Sequence, residues 1–132
     1  MSAPNLSLFA LEGIPLISEG DNVGAIIAQA LSLPNQEPED GDVLVLAQKI
    51  VSKAEGRAVR LDTVEPSPQA RKLAAEVDKD PRVVELILGE SRQVIRKKPG
   101  VIIVEHLLGY VLANAGIDRS NVQSDEDWVL ML

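Results

Sequence analysis

At 132 residues with a hydrophobic fraction of 45%, the chain suits one folded domain with a modest core and is too apolar for disorder. Its formal net charge of -7 argues against partners such as duplex nucleic acid or an anionic membrane, which call for a positive field. Cysteine is absent and histidine occurs once, as His106, so disulfides, thiolate zinc sites, thiol nucleophiles and histidine-cluster metal sites are excluded.

Phe9, Tyr110 and Trp128 are the only aromatic residues. The core must therefore be aliphatic, and a base-stacking platform is excluded. No apolar run approaches a membrane span and no signal-peptide pattern opens the chain, so a soluble cytoplasmic protein is the default expectation.

In chain order, residues 6–11 read as a first strand, and Gly13-Ile14-Pro15-Leu16-Ile17 as a loop or edge, because its proline cannot donate to a central ladder. Asp21 is placed to cap a helix with Val23, Ile26, Ile27, Ala30 and Leu31 on one face, ending near Leu33-Pro34. Residues 36–41 form an acidic turn. Val43-Leu44-Val45-Leu46 is a continuous apolar run, as in a strand buried on both faces. Residues 48–55 favour a short helix, and 57–61 a short strand.

Ser67-Pro68 and Asp80-Pro81 each pair a capping residue with proline at the first helical position. The first opens a helix with Ala70, Leu73, Ala74 and Val77 as its apolar stripe. The second opens a buried one carrying Val83, Val84, Leu86, Ile87 and Leu88. A basic turn follows over Arg96-Lys97-Lys98-Pro99-Gly100. Strands are expected over 101–104, over 107–113 with a bend at Gly109, and over 127–132. The apolar ending Trp128-Val129-Leu130-Met131-Leu132 raises the expectation of a piece of a larger protein, or of an end paired with another chain. The whole reads as a single α/β or α+β domain over residues 1–132, a mixed sheet with flanking helices.

Three places could carry chemistry. Gln48, Lys49 and Lys53 follow the expected buried strand, where open sheets place ligands; the two lysines share a helical face and suit a polyphosphate, or else form a solvated turn balanced by Glu55. Asn114-Ala115-Gly116-Ile117-Asp118-Arg119-Ser120-Asn121 is either a plain turn or a loop in which Asp118 holds a nucleotide-bridged cation and Asn121 bonds a phosphate or base. Arg92, Arg96, Lys97 and Lys98 are a solvated face, or a surface for an anion or an acidic partner. His106 reads as a satisfied turn histidine.

The segment Gly41-Asp-Val-Leu-Val-Leu-Ala-Gln-Lys-Ile-Val-Ser-Lys-Ala-Glu-Gly-Arg57 resembles the signature of the coenzyme F420-0:gamma-glutamyl ligases. So do Glu12-Gly13-Ile14-Pro15-Leu16-Ile17, Val64-Glu65-Pro66-Ser67 and the loop from Asn114 to Asn121, in matching order and spacing. The resemblance covers nearly the whole chain but about the first half of the family's catalytic unit. It implies addition of L-glutamate through a gamma-linkage to F420-0, the lactyl phosphodiester precursor of a deazaflavin coenzyme. It also implies GTP, Mg2+ or Mn2+, a monovalent cation such as K+, and an acyl phosphate route.

By the same resemblance, Ile14, Pro15, Leu16 and Ile17 lie along the GTP, and Gln48, Lys49 and Lys53 contact it, Lys53 at a phosphate. Asp118 is a metal ligand and Asn121 a nucleotide contact. The family forms an intertwined homodimer with its site in an interface groove. Its second half, with a Thr-Asp-Thr-like motif that adds metal ligands, has no counterpart here. The chain is then a ligase that needs a partner segment, or a non-catalytic nucleotide-binding or assembly module of the same fold.

Overall fold

The computed structural model describes residues 5–119 and 127–132. The chain forms two compact units, Met1–Glu55 and Gly56–Leu132. Helices combine with antiparallel sheets, so the class is mixed α and β.

Among the described residues, the first unit holds two helices, α1 (Val23–Leu31) and α2 (Gln48–Ala54). Asn22 caps α1, its Oδ1 accepting from the Ala25 N–H at 2.9 Å. Asp21, the expected cap, instead accepts from the Ser18 N–H at 2.7 Å and closes the preceding turn. Either residue can cap a helix; the backbone entering α1 turns extended at Asn22. Buried Gln36 stitches the unit together: its Oε1 accepts from Glu12 N–H and its Nε2 donates to the Ala30 carbonyl at 2.9 Å.

Two expected strands do not form. Residues 6–11 and 42–47 lack regular structure, and Leu8, Phe9, Val43 and Val45 are exposed. A strand is completed by a neighbour that takes its backbone hydrogen bonds. No described segment pairs with either one.

The second unit contains the core. Its sheets are a ribbon of β1 (Ala58–Arg60) with β5 (Trp128–Leu130), and a meander of β2 (Ser91–Lys98), β3 (Val101–His106) and β4 (Val111–Ala113). Helices α3 (Pro68–Val77) and α4 (Pro81–Gly89) start at the two expected cap–proline pairs. Ala70, Leu73, Ala74 and Val77 of α3 and Val83, Val84 and Ile87 of α4 are buried with Ile102 and Val104 of β3. Ser67 accepts from Ala70 N–H as the cap of α3, while its own N–H donates to Glu85 Oε2 at 2.8 Å. A local capping box would place that carboxylate three residues downstream; here it comes from α4. Hydrogen bonds from the Ser67 hydroxyl and N–H hold the Glu85 carboxyl below its usual range.

The basic turn is also relocated. Arg96, Lys97 and Lys98 lie in β2 opposite Ile103, Ile102 and Val101, and only Pro99-Gly100 turns. The ladder with β3 satisfies their backbone while an edge position leaves their charges in water. The strand expected over 107–113 shortens to β4, because residues 107–109 turn back on His106.

Candidate functional site

In the first unit, α2 presents Lys49 and Lys53 one turn apart on one face, both half-buried, with Gln48 exposed at its start. Lys53 lies in the last turn, where an ammonium complements the helix dipole. Its side chain has no ion-pair or hydrogen-bond partner among the described residues. Ile14 and Ile17 are half-buried, whereas Pro15 and Leu16 face solvent. The loop after them is tied to α2, since Gly20 N–H donates to the Ala54 carbonyl at 2.8 Å, next to Lys53. This unit therefore gathers the loop from Ile14 to Ile17 with Gln48, Lys49 and Lys53.

In the second unit, β4 runs into a backbone turn that few sequences adopt. Asn114, Ala115 and Gly116 all take positive φ, at 52°, 52° and 71°, and Ile117 N–H closes the turn on the Asn114 carbonyl at 3.0 Å. This is one turn of left-handed helix, which costs an L-residue about 1–2 kcal/mol. Its surroundings are closely packed. Asn114 Oδ1 accepts from the Ile102 N–H at 3.1 Å, Ala115 is fully buried, and a Cβ on Gly116 would lie 3.1 Å from Leu112 and Leu132 atoms. Strain of this kind collects at functional sites.

The turn delivers Asp118. Its N–H donates to the Leu130 carbonyl at 2.9 Å and its carbonyl accepts from Leu130 N–H at 2.8 Å, so β5 fixes the backbone on both sides. The side chain is half-buried. Asn121 lies outside the described residues.

A divalent cation of the Mg2+ type wants six oxygens in an octahedron. Among the described residues no three His, Asp or Glu side chains cluster to supply them. Asp118 fits such an ion as one ligand, with the other oxygens coming from phosphates, water or further protein.

Beneath the turn lies a polar network that sequence reading missed. Buried His106 accepts the Leu108 N–H on Nδ1 at 3.0 Å, and its backbone N–H donates to the Tyr110 carbonyl at 2.8 Å. Its Nε2 sits 3.3 Å from Glu90 Oε2 but out of hydrogen-bond alignment. The same Glu90 oxygen accepts from Arg57 Nη2 at 2.8 Å, and Arg57 Nε donates to the Leu132 carbonyl at 3.0 Å. The network joins the bend before β4 to the segment that pairs with Asp118. Its members are too far apart in sequence for spacing to reveal it.

Residues 13–132 match the model of a family described as F420-0:Gamma-glutamyl ligase. The Coenzyme F420:L-glutamate ligase of Methanothermobacter thermautotrophicus is 46% identical over 117 residues, covering 89% of this chain and 46% of that protein. The proteins of the same name from Methanopyrus kandleri and Halobacterium salinarum are 45% and 39% identical, covering 88% and 89% of this chain and 45% and 47% of their own lengths. The chain thus spans about half the length of the curated relatives it matches. With a family match over nearly every residue, the chain belongs to the F420-0:gamma-glutamyl ligase family.

Proposed function

We propose that the chain contributes part of the site for amide ligation of L-glutamate to F420-0, with GTP and Mg2+ or Mn2+. The observation that carries this is the family match over residues 13–132, shared with relatives named Coenzyme F420:L-glutamate ligase. In the expected reaction, a substrate carboxylate oxygen attacks the γ-phosphorus of GTP and GDP leaves, forming an acyl phosphate. The glutamate nitrogen then attacks the acyl carbon, phosphate leaves, and the nitrogen loses a proton. Both steps need positioning and charge neutralisation more than covalent help from the protein.

In this reading Lys53 pairs with a nucleotide phosphate, which gives its side chain, on a half-buried residue, the partner it lacks among the described residues. Gln48 and Lys49 contact the nucleotide from the same helix, and Ile14, Pro15, Leu16 and Ile17 lie along it. Asp118 gives one oxygen to the divalent cation, which supplies charge neutralisation when bound; Asn121 contacts the nucleotide, and K+ is a further cation. The protein acts as a cytoplasmic homodimer, and sedimentation velocity reading only monomer would remove that part.

A thermal-shift titration tests the site. GTP with Mn2+ at a hundred times its Kd should add about 2.7 kcal/mol and raise the melting temperature. Asp118→Ala should lose the Mn2+-dependent part, and Lys53→Ala should weaken the response to GTP. An unmoved wild type, or an equal shift in Asp118→Ala, would overturn the reading. A second reading is a non-catalytic nucleotide-binding or assembly module of the same fold. It keeps the thermal shift but predicts no transfer of labelled glutamate.

A further inference from the structure

The outer face of the β2–β3–β4 sheet carries a charge pattern that the ligase reading leaves unused. The register places Gln93, Arg96 and Lys98 of β2, Val101, Ile103 and Glu105 of β3, and Val111 and Ala113 of β4 on this face. Ile102 and Val104 point the other way, into the core. Glu105 is the one carboxylate that the three strands put on this face, and it is engaged: Gln93 Nε2 donates to it at 2.7 Å and Arg92 Nη1 lies 3.4 Å away. Lys97, on the opposite side of β2, is paired with Glu76. The side chains of Arg96 and Lys98 have no ion-pair or hydrogen-bond partner among the described residues. In a chain of net charge -7 they form a local, uncompensated positive pair.

These two cations border a groove of about 380 Å³, lined by Arg96, Lys97, Lys98, Val101 and Ile103. The volume falls at the lower end of small-molecule clefts, which combine an apolar lining with a few polar anchors. Val101 and Ile103 supply the floor. Arg96 opposite Ile103 and Lys98 opposite Val101 put a guanidinium and an ammonium along the β2 side, which suits a phosphate or carboxylate, the guanidinium through paired N–H bonds.

We propose that this groove binds a small organic anion: a phosphate or carboxylate held by Arg96 and Lys98, on an apolar body laid across Val101 and Ile103. Charge complementarity selects the anionic end, and the aliphatic floor requires the apolar one. The inference goes beyond the ligase reading and does not depend on it.

The test is a two-dimensional amide NMR titration of the full chain with phenyl phosphate, benzoate, inorganic phosphate and phenol. Phenyl phosphate or benzoate should shift the amides from Arg96 to Ile103 saturably, with Kd on the order of 1 mM or tighter. The comparison between the two identifies the preferred head group. Inorganic phosphate and phenol, each lacking half of the chemistry, should bind at least about tenfold more weakly. Arg96→Glu with Lys98→Glu should lose at least about tenfold in affinity, whereas Lys72→Glu at an exposed position of α3 should lose none. If the double charge reversal unfolds by circular dichroism, Arg96→Gln with Lys98→Gln takes its place.

Four outcomes would overturn the proposal. They are equal affinity for inorganic phosphate, absence of saturation, an equal loss in Lys72→Glu, and concentration-dependent shifts of the same amides without ligand. The last would assign the face to a second copy of the chain.

Discussion

Val43-Leu44-Val45-Leu46 in the first unit and Val101-Ile102-Ile103-Val104 in the second are near twins in composition, yet they end in opposite environments. Ile102 and Val104 are fully buried, while Val43 and Val45 are more than four-fifths exposed. The later run pairs with β2 on one side and β4 on the other, and α3 and α4 contribute to the core beneath it. The earlier run has no paired neighbour among the described residues. Apolar patterning prepares a strand; pairing and cover make one. The difference extends to whole units. Among described residues of the first, only Ala30, Gln36 and Ser52 are buried, whereas aliphatic side chains from α3, α4 and three strands share the core of the second.

The largest expected effect lies in that contrast. Ile102→Ala should destabilise the second unit by about 2–5 kcal/mol, through lost burial and the cavity left behind. Val45→Ala should stay within about 0.5 kcal/mol, as for an exposed site. Urea unfolding followed by Trp128 fluorescence and far-ultraviolet circular dichroism checks both. Comparable losses would mean that the earlier run is buried after all.

The glycines sharpen the comparison. Gly116 and Gly41 both hold positive φ, but a Cβ on Gly116 meets Leu112 and Leu132, while one on Gly41 meets nothing within 4 Å. Gly116→Ala should cost about 2–3 kcal/mol from strain and overpacking together, and Gly41→Ala about 1 kcal/mol from backbone strain alone. Equal losses in the same unfolding experiment would mean that packing around the left-handed turn contributes nothing.

The smallest effect is electrostatic. Arg82, hydrogen-bonded to Asp80, holds its carboxyl below its ordinary value of 3.8. A depressed folded-state pKa means that the contribution is complete above the unfolded value and is lost as pH falls through the folded one. Asp80→Asn keeps a capping side chain but loses the ion pair. It should cost up to about 1 kcal/mol at neutral pH, and the cost should shrink as pH falls below 3.8 and through the lowered folded-state pKa. A gap independent of pH, measured by urea midpoints across that range, would assign the loss to capping instead. No counterpart to this N-cap ion pair occurs in the first unit among the described residues, because the caps of α1 and α2 are Asn22 and Ala47.

Much of the second unit is legible in the amino-acid sequence. Ser67-Pro68 and Asp80-Pro81 start the helices expected of them, and Ala70, Leu73, Ala74 and Val77 form the buried stripe. Both signals are local: a cap and its helix lie within a few residues, and a stripe follows from helical period alone. The candidate site residues can be followed only as far as their local placement. Gln48, Lys49 and Lys53 do share α2, and Asp118 does follow a sharp turn.

Tertiary structure decided the rest, because those features depend on partners distant in the chain. Glu85 completes the cap of α3 from another helix, and Glu90 joins Arg57 to the neighbourhood of His106. A left-handed turn at Asn114, Ala115 and Gly116 persists because Ile102, Leu112 and Leu132 surround it, although alanine by itself disfavours that backbone. The two apolar runs show the same division. Composition made both capable of extension, and only the one given neighbours on both edges became a strand in a core.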